Sequence, residues 1–253
     1  MYPYYIFGQF DLYLICITLG AVACLFLFRL LADRVRLSTP LTNLSLGGGV
    51  AGLAAGLGTA VLFQAFYNFL AGYGFSLDKE TGATFYGGLV GGIGAFLAVY
   101  FLGGRLLRDG GAYKSEFSLV SSIAACSITL AHACGRLGCF FAGCCHGHVT
   151  DAWYGVYMPA VGEKVIPTQL IEAVFLAALC AFLVFRVLRG KRDGFPVYLV
   201  AYGFFRFFIE FLRGDYRGAS PVSFLTPSQF TALILTAVGM LLLLLPKKKG
   251  AEE

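Results

Sequence analysis

The chain has 253 residues, of which 58% are hydrophobic and only 13% are charged, and its mean hydropathy is +0.76. A soluble globular domain is typically about half apolar and about a quarter charged, so this composition excludes an ordinary soluble protein. Nineteen Lys and Arg residues against fourteen Asp and Glu residues give a formal net charge of +5, whose meaning depends on where the basic residues lie.

Seven apolar runs are long enough to cross a bilayer, since a hydrocarbon core of about 30 Å requires about 20 residues of helix. The sequence therefore predicts an all-α, polytopic membrane protein in which residues 1–253 form one domain. The second and third runs are rich in glycine, which permits either close helix packing or a break. The predicted spans are about 10–31, 42–71, 84–103, 117–133, 166–187, 195–212 and 225–245.

The basic residues are distributed unevenly over the connections between these runs. Thirteen lie in one alternate set, and the other set holds Lys79, Arg136, Lys164, Arg213 and Arg217. Because Lys and Arg are retained on the cytoplasmic side, the N-terminus is predicted outside and the C-terminus in the cytoplasm. The net charge is thus a topology signal, and no nucleic-acid partner is inferred from it. The N-terminal run lacks a basic n-region and a cleavage motif, so it is interpreted as a retained helix.

The sixth run contains charges that a membrane helix normally lacks. Tyr202, Arg206 and Glu210 are spaced i, i+4, i+8 and so share one helix face. A charge at the bilayer centre costs about 2.5 to 17 kcal/mol, and such residues are usually paired and functional. A purely structural ion pair is the alternative. A buried guanidinium suits a lipid phosphate, with Glu210 orienting Arg206 and Tyr202 contributing a hydroxyl.

A second polar cluster follows the fourth run, in the predicted outer connection of about 134–165. Arg136 lies between Gly135 and Gly138, where backbone amides are expected to approach an anion held by the arginine. Arg136 and Arg206 are predicted to converge on one phosphate.

Cysteine and histidine residues crowd the same segment. Thiolate and imidazole are the usual zinc ligands, but the C-x4-C-x4-C-C spacing is not that of common structural zinc sites. Packing, a disulfide and a direct role near the substrate are the other interpretations, and the sequence leaves all of them open. The residues concerned are Cys134, Cys139, Cys144, Cys145, His132, His146 and His148.

Polar residues also open the fifth run. Pro167 suits the first turn of a helix, and Gln169 and Glu172 are i, i+3 neighbours. On these residues alone a capped helix start is the favoured interpretation.

Together these motifs resemble the prolipoprotein diacylglyceryl transferase family, along nearly the whole chain. Y-G-F-F-R-F-F-I-E at 202–210 is similar to the family's Y-G-x-x-R-F-x-x-E, and P-T-Q-L-I-E at 167–172 to its P-T-Q-L-Y-E. G-R-L-G at 135–138 resembles the start of the family signature, and F-Y-G-G-L at 85–89 its F-H-G-G-L. Tyr13 and the Ser228-Gln229 pair resemble family positions in the first and last spans.

The chain departs from the family pattern at its most reactive positions. In the family's G-R-x-G-N-F-x-N-G-E pattern, this chain has Cys139 and Ala142 in place of the two asparagines and Cys144 in place of the glutamate. Tyr86 occupies the position of the family's catalytic histidine. A phenol with a reference pKa of about 10 is a poor general base at neutral pH. The base has therefore moved, to His132, His146 or a cysteine, or the chemistry has changed.

The resemblance implies a multi-pass enzyme of the bacterial plasma membrane that acts on membrane lipid. It would transfer a diacylglyceryl group from phosphatidylglycerol to the lipobox cysteine of a prolipoprotein, without a metal or cofactor. The catalytic residues implied are Arg136, Arg206, Glu210, Tyr202 and Tyr86, and the substrate-binding residues are Tyr13, Gly87, Gly88, Gly135, Gly138, Cys139, Gln169 and Glu172. Two alternatives remain: a non-catalytic paralogue that binds lipid or prolipoprotein, and a metal or redox protein using Cys134–His148.

Overall fold

The structure is a computed structural model, and it describes residues 11–70, 72, 74–77, 81, 84–107, 111–214 and 224–245. Within these ranges seven helices are long and apolar enough to cross a membrane, which confirms the predicted all-α, multi-pass fold. The helices are α1 Leu12–Arg34, α2 Thr39–Leu70, α3 Phe85–Leu106, the short α4 Ala112–Ser115, α5 Phe117–Ala142, α6 Thr168–Leu188, α7 Gly194–Ile209 and α8 Pro227–Leu244.

The chain divides into two compact units, one formed by Met1–Val35 with Ser118–Glu253 and the other by Arg36–Phe117. The single domain of 1–253 and the orientation in the membrane stay predictions.

The smaller unit is built on the packing of α2 against α3 through glycines. A Cβ atom added to Gly52 would lie 2.9 Å from the carbonyl oxygen of Gly92, and one added to Gly56 would lie 3.0 Å from that of Gly88. Such distances leave no room for a side chain, so the glycines allow the two backbones to approach. Of the two roles considered for the glycine-rich runs, close packing is the one observed, because α2 is continuous over 32 residues.

The larger unit contains α1 and α5 to α8, and α5 is the most buried of the seven spans. Gly203 allows α7 to approach α8, because a Cβ atom there would lie 2.8 Å from the carbonyl oxygen of Ala232. The start of α8 is fixed by a capping box: the Thr226 hydroxyl accepts from the Gln229 amide, and the Gln229 side chain accepts from the Thr226 amide. α7 continues into a 3-10 turn, Glu210–Leu212.

The connection between α5 and α6 differs from the prediction. α5 continues to Ala142 instead of ending near residue 133, because its aromatic and aliphatic residues sustain the helix until Gly143 adopts a φ of 71°. A two-stranded antiparallel hairpin follows, with β1 at Val156–Met158 and β2 at Glu163–Val165. Isolated bridges join Val149 to Val165 and Gly147 to Arg213, so the connection is tied back to the end of α7.

Candidate active site

A buried carboxylate on α6 is the centre of the polar cluster in the larger unit. Glu172 is fully buried, and its Oε1 lies 3.1 Å from Arg136 Nε while its Oε2 lies 3.7 Å from Arg206 Nη1. The Tyr202 hydroxyl donates a 2.8 Å hydrogen bond to the same Oε1. The two arginines therefore converge on Glu172, and their predicted convergence on one phosphate stays a prediction. From its residues alone this segment was interpreted as a capped helix start, but Glu172 lies beyond the first turn of α6 and contacts both arginines.

The second carboxylate holds Arg206 from the other side. Arg206 Nη2 lies 2.7 Å from Glu210 Oε2 and donates a 2.9 Å hydrogen bond to Ser228 Oγ on α8. Glu210 Oε1 in turn accepts from the Thr226 hydroxyl at 3.1 Å. The predicted orientation of Arg206 by Glu210 agrees with this geometry. We call Arg136, Glu172, Tyr202, Arg206 and Glu210 the arginine–glutamate cluster.

The local sequence explains how α7 delivers three of these side chains together. Tyr202, Arg206 and Glu210 are 8%, 7% and 5% exposed, as their i, i+4, i+8 spacing predicts for one inward face. The opposite face carries apolar residues such as Phe204 and Phe208, which are exposed as lipid-facing residues are expected to be. One amphipathic helix therefore presents its polar stripe to α6 and α8.

Arg213 belongs to this neighbourhood, although the sequence analysis counted it only as a residue of an outer connection. It is 6% exposed, and its Nε lies 3.7 Å from Glu210 Oε2. Three arginines thus face two carboxylates, so the formal charge of the neighbourhood is +1 with histidine neutral. A net positive charge in a buried site favours an anionic ligand.

Several atoms of the arginine–glutamate cluster retain hydrogen-bonding capacity. Arg136 Nε, Arg206 Nη1 and Glu172 Oε2 are buried and make no hydrogen bond within the part of the chain that the structure describes. Arg136 Nε is paired with Glu172 Oε1 without forming a hydrogen bond, and Arg206 Nη1 lies too far from Glu172 Oε2, at 3.7 Å, to form one. Two converging guanidinium groups therefore keep donors for the oxygens of another anion.

His132 joins the cluster from α5, one turn before Arg136. Its Nε2 lies 3.9 Å from Glu172 Oε1, and its ring packs edge-to-face on Tyr202 with a centroid separation of 4.9 Å. His132 is one of the candidates for a displaced base that the sequence predicts, beside His146 and a cysteine. His132 lies four residues before Arg136, and this helical spacing predicts that the two side chains share one face of α5.

The glycines around Arg136 do not have the role expected of them. Gly135 and Gly138 lie within α5, where the helix uses the backbone amides, so they do not present free donors to an anion. Gly138 instead allows α1 to approach, because a Cβ atom there would lie 3.2 Å from Cys16 Cβ and 3.2 Å from Tyr13 Cδ2. Tyr13 is thereby brought beside α5 at Gly138, two residues after Arg136.

Gln169 holds the backbone that follows α5. It is fully buried, and its Nε2 donates to the Cys144 carbonyl oxygen at 2.5 Å. The neighbouring Thr168 hydroxyl donates to the Cys145 carbonyl oxygen at 2.9 Å. Gln169 therefore has a supporting contact, and the substrate-binding role given to it stays a prediction.

Three sulfur atoms come together beside the arginine–glutamate cluster. The Sγ atoms of Cys139, Cys144 and Cys145, which we call the thiol cluster, lie within 4.8 Å of one another. All eight cysteines are in the described part of the chain, and no disulfide joins any of them there. A hydrogen bond with Cys139 lowers the pKa of the Cys144 thiol, but a hydrogen bond with Cys145, burial and nearby thiols raise it more.

The remaining predicted site residues lie in the smaller unit. Gly87 and Gly88 pack against α2, where a Cβ atom would meet Phe63 and the Gly56 carbonyl oxygen respectively. Tyr86 is in the first turn of α3, and its side chain lies outside the described residues. The roles given to these three residues stay predictions.

Comparison with known proteins identifies the family of the chain. The family model described as prolipoprotein diacylglyceryl transferase matches residues 5–245. The chain belongs to the prolipoprotein diacylglyceryl transferase family. The predicted family is thus confirmed, and the membership supports the transferase activity expected from the sequence.

Several relatives carry the same name. The chain is 32% identical over 185 residues to phosphatidylglycerol–prolipoprotein diacylglyceryl transferase 2 of Clostridium perfringens, covering 70% of this chain and 67% of the relative. It is 34% identical over 170 residues to the transferase of Clostridium tetani, covering 64% of each. A transferase of Shewanella sp. MR-4 is 29% identical over 267 residues, covering 98% of this chain and 94% of the relative. The matched part is about two thirds of the length of the two clostridial proteins.

Proposed function

We propose that this member of the family transfers a diacylglyceryl group from phosphatidylglycerol to the cysteine thiol of a prolipoprotein lipobox. The observation that carries the proposal is the convergence of Arg136 and Arg206 on Glu172, with buried donors that make no hydrogen bond. Family membership and the names of the relatives support the same reaction.

The arginines are suited to the phosphate of the lipid. A guanidinium offers two parallel N–H donors to phosphate oxygens and keeps its charge at any physiological pH. Arg206 Nη1 and Arg136 Nε supply such donors from two different helices. A phosphate bound between the two guanidinium groups replaces the Glu172 carboxylate as their shared counter-ion.

The same donors act on the leaving group. The substrate thiolate attacks the glycerol carbon that bears the phosphate, the carbon–oxygen bond breaks, and its electron pair stays on the departing glycerol phosphate. The new carbon–sulfur bond is a thioether. Negative charge grows on the phosphate oxygen as that bond breaks, and preorganised donors stabilise this charge in the transition state.

The remaining residues hold this arrangement. Glu210 and Ser228 fix Arg206 from two sides, and the Tyr202 hydroxyl fixes Glu172. Tyr13 packs beside Gly138 and is proposed to contact the headgroup from α1. Because Glu210 and Ser228 hold Arg206, this guanidinium is expected to keep its position when the lipid phosphate replaces Glu172 as its counter-ion.

The chemistry also defines the partners and the compartment. The substrates proposed are phosphatidylglycerol and a prolipoprotein, and the compartment is the bacterial plasma membrane. With the N-terminus outside, as the distribution of basic residues predicts, the larger unit's α5 to α6 connection faces outward.

The test is transfer of a labelled diacylglyceryl group from phosphatidylglycerol to a lipobox peptide by purified protein in lipid. Arg136→Ala and Arg206→Ala are expected to abolish product, while Arg29→Ala, which removes an exposed ion pair with Asp33 on α1, serves as the matched control. Equal rates in all three variants would refute the arginine roles. Lipid binding without any product in the unmodified protein would favour the non-catalytic paralogue.

A further inference from the structure

The thiol cluster has the geometry of a metal site with three protein ligands. Zinc binds thiolates at about 2.3 Å, which separates neighbouring sulfurs by about 4 Å in a tetrahedral or trigonal arrangement. The three Sγ atoms already lie within 4.8 Å of one another. Small side-chain rotations therefore suffice to bind a thiophilic cation, and three ligands leave one coordination position open.

The backbone that carries these thiols is specifically shaped. Cys145 has a φ of 63°, which is uncommon for a residue other than glycine, and Gly143 has a φ of 71°. The two left-handed residues turn the chain back over the end of α5, where the Cys144 amide donates to the Cys139 carbonyl oxygen. Gln169 and Thr168 then hold the carbonyls of both following cysteines. Strain of this kind is kept where the surrounding structure enforces it and is concentrated at functional sites.

The thiol cluster adjoins the arginine–glutamate cluster through three connections. Cys139 follows Arg136 by one helical turn on α5, and Gln169 precedes Glu172 by three residues on α6. Tyr13 lies close enough to all three thiols and to Arg136 for their charges to act on its phenol. A ligand bound at the thiols is therefore next to the residues that hold the lipid phosphate.

The transfer reaction requires a step that the arginine–glutamate cluster does not supply, namely ionisation of the substrate thiol. Tyr86 stands where the family has its histidine, and a phenol is a weak base near neutral pH. His132 is enclosed by Tyr202 and Glu172, and a proton there would add positive charge close to Arg136 and Arg206. A bound metal ion provides another route, because a thiol that coordinates a metal is deprotonated.

We propose that Cys139, Cys144 and Cys145 bind a thiophilic d10 cation, Zn²⁺ in the simplest case, whose open coordination position takes the substrate cysteine. This inference rests on the proposed transferase function and specifies how its thiol is activated. The site is accessible, since Cys144 is exposed.

The step balances without an oxidant or reductant. The substrate thiol replaces a water molecule on the cation and loses its proton to solvent on the exposed side. The metal-bound thiolate then attacks the glycerol carbon, the carbon–oxygen bond breaks, and glycerol phosphate leaves with the electron pair. The product is a neutral thioether, a weaker zinc ligand than a thiolate, so it is released and water returns.

Cobalt substitution tests the site without relying on activity. Reduced, chelator-treated protein in lipid is titrated with Co²⁺, whose thiolate charge-transfer absorption reports the number of sulfur ligands. We expect one Co²⁺ per chain and a weaker band in each of Cys139→Ser, Cys144→Ser and Cys145→Ser. Cys24→Ser, on α1, is the matched control and is expected to retain the full band.

Substrate coordination is tested by adding a lipobox peptide to the Co²⁺ protein. A fourth thiolate is expected to raise the band by about one third, while the same peptide with serine in place of cysteine leaves it unchanged. The unmodified protein alone decides this point, so a variant that fails to fold does not weaken the test. No Co²⁺ binding, a band unaffected by either peptide, or a disulfide within the thiol cluster of active protein would overturn the proposal.

The two levels of the argument can fail separately. Transfer by metal-free protein at the full rate would leave the transferase function standing and remove the metal. A peptide-dependent cobalt band without transfer would establish the thiol-binding site and remove the proposed reaction. Arg206→Ala is expected to lose transfer and to keep the cobalt band, because it holds no sulfur.

Discussion

Replacement of Arg206 by lysine separates the contribution of the guanidinium's several hydrogen-bond donors from the contribution of its positive charge. Arg206 uses Nη2 for Glu210 at 2.7 Å and Ser228 at 2.9 Å, and it directs Nη1 toward Glu172 at 3.7 Å. A lysine ammonium is a single point of charge, so it can keep the contact with Glu210 but cannot also supply the donor that Nη1 holds for a phosphate.

The expected loss follows from the number of donors removed. Removing one preorganised donor from a developing anion costs about 2.7 to 4 kcal/mol, which corresponds to a fall in kcat of about 10² to 10³. The fold is expected to survive, because the buried charge keeps its Glu210 partner and the lost hydrogen bond costs about 1.5 to 3 kcal/mol. Initial rates of diacylglyceryl transfer and thermal unfolding in the same lipid measure the two effects separately.

Arg186→Lys is the matched control for this substitution. Arg186 Nη2 donates to both carboxylate oxygens of Asp193 at 2.8 Å, so the change removes a forked contact of the same kind away from the arginine–glutamate cluster. Its transfer rate is expected to stay near that of the unmodified protein. A folded Arg206→Lys variant whose rate is within about tenfold of the unmodified protein, a difference of about 1.4 kcal/mol, would refute the proposed donor role.

Four other changes have defined outcomes. Glu172→Gln leaves two buried arginines without their shared counter-ion and should lower the free energy of unfolding, measured by chemical denaturation, by about 3 to 5 kcal/mol. Tyr202→Phe removes one hydrogen bond to Glu172 and should lower the free energy of unfolding by about 1 to 3 kcal/mol. Gly52→Val, which meets a backbone oxygen, should destabilise by about 1 to 3 kcal/mol, whereas Gly58→Val, with nothing within 4 Å, should not. Tyr86→Phe should retain transfer within about tenfold if the metal activates the thiol, and a fall of 10² or more would instead identify the phenol as a base.

Local spacing explains which parts of the site were predictable. Tyr202, Arg206 and Glu210 were placed on one face correctly because the helical repeat determines their relation without knowledge of any other helix. Close packing was one of the two roles considered for the glycine-rich runs, because a glycine such as Gly52 leaves room for another backbone.

Contacts between distant segments were not predictable in the same way. The bridging role of Glu172 depends on α5, α6 and α7 meeting at one level, and its sequence neighbours indicate only a helix start. The end of α5 was placed near residue 133, whereas the helix continues through Gly135 and Gly138 to Ala142. The approach of Cys139 to Cys145 depends on the left-handed backbone at Gly143 and Cys145, and the left-handed conformation of a cysteine is not predictable from its residue type.

The position of Glu172 also has a consequence for the resting enzyme. Two guanidinium groups within a membrane protein need a counter-charge at all times, and between turnovers Glu172 is that charge. In the proposed mechanism, lipid binding exchanges one anion for another, and it changes the electrostatic balance of the site much less than the filling of an empty cationic pocket would. Inorganic phosphate has to compete with the Glu172 carboxylate for the arginines, so its net free energy of binding is small. A lipid also binds through its acyl chains, and this additional binding energy allows its phosphate to displace the Glu172 carboxylate.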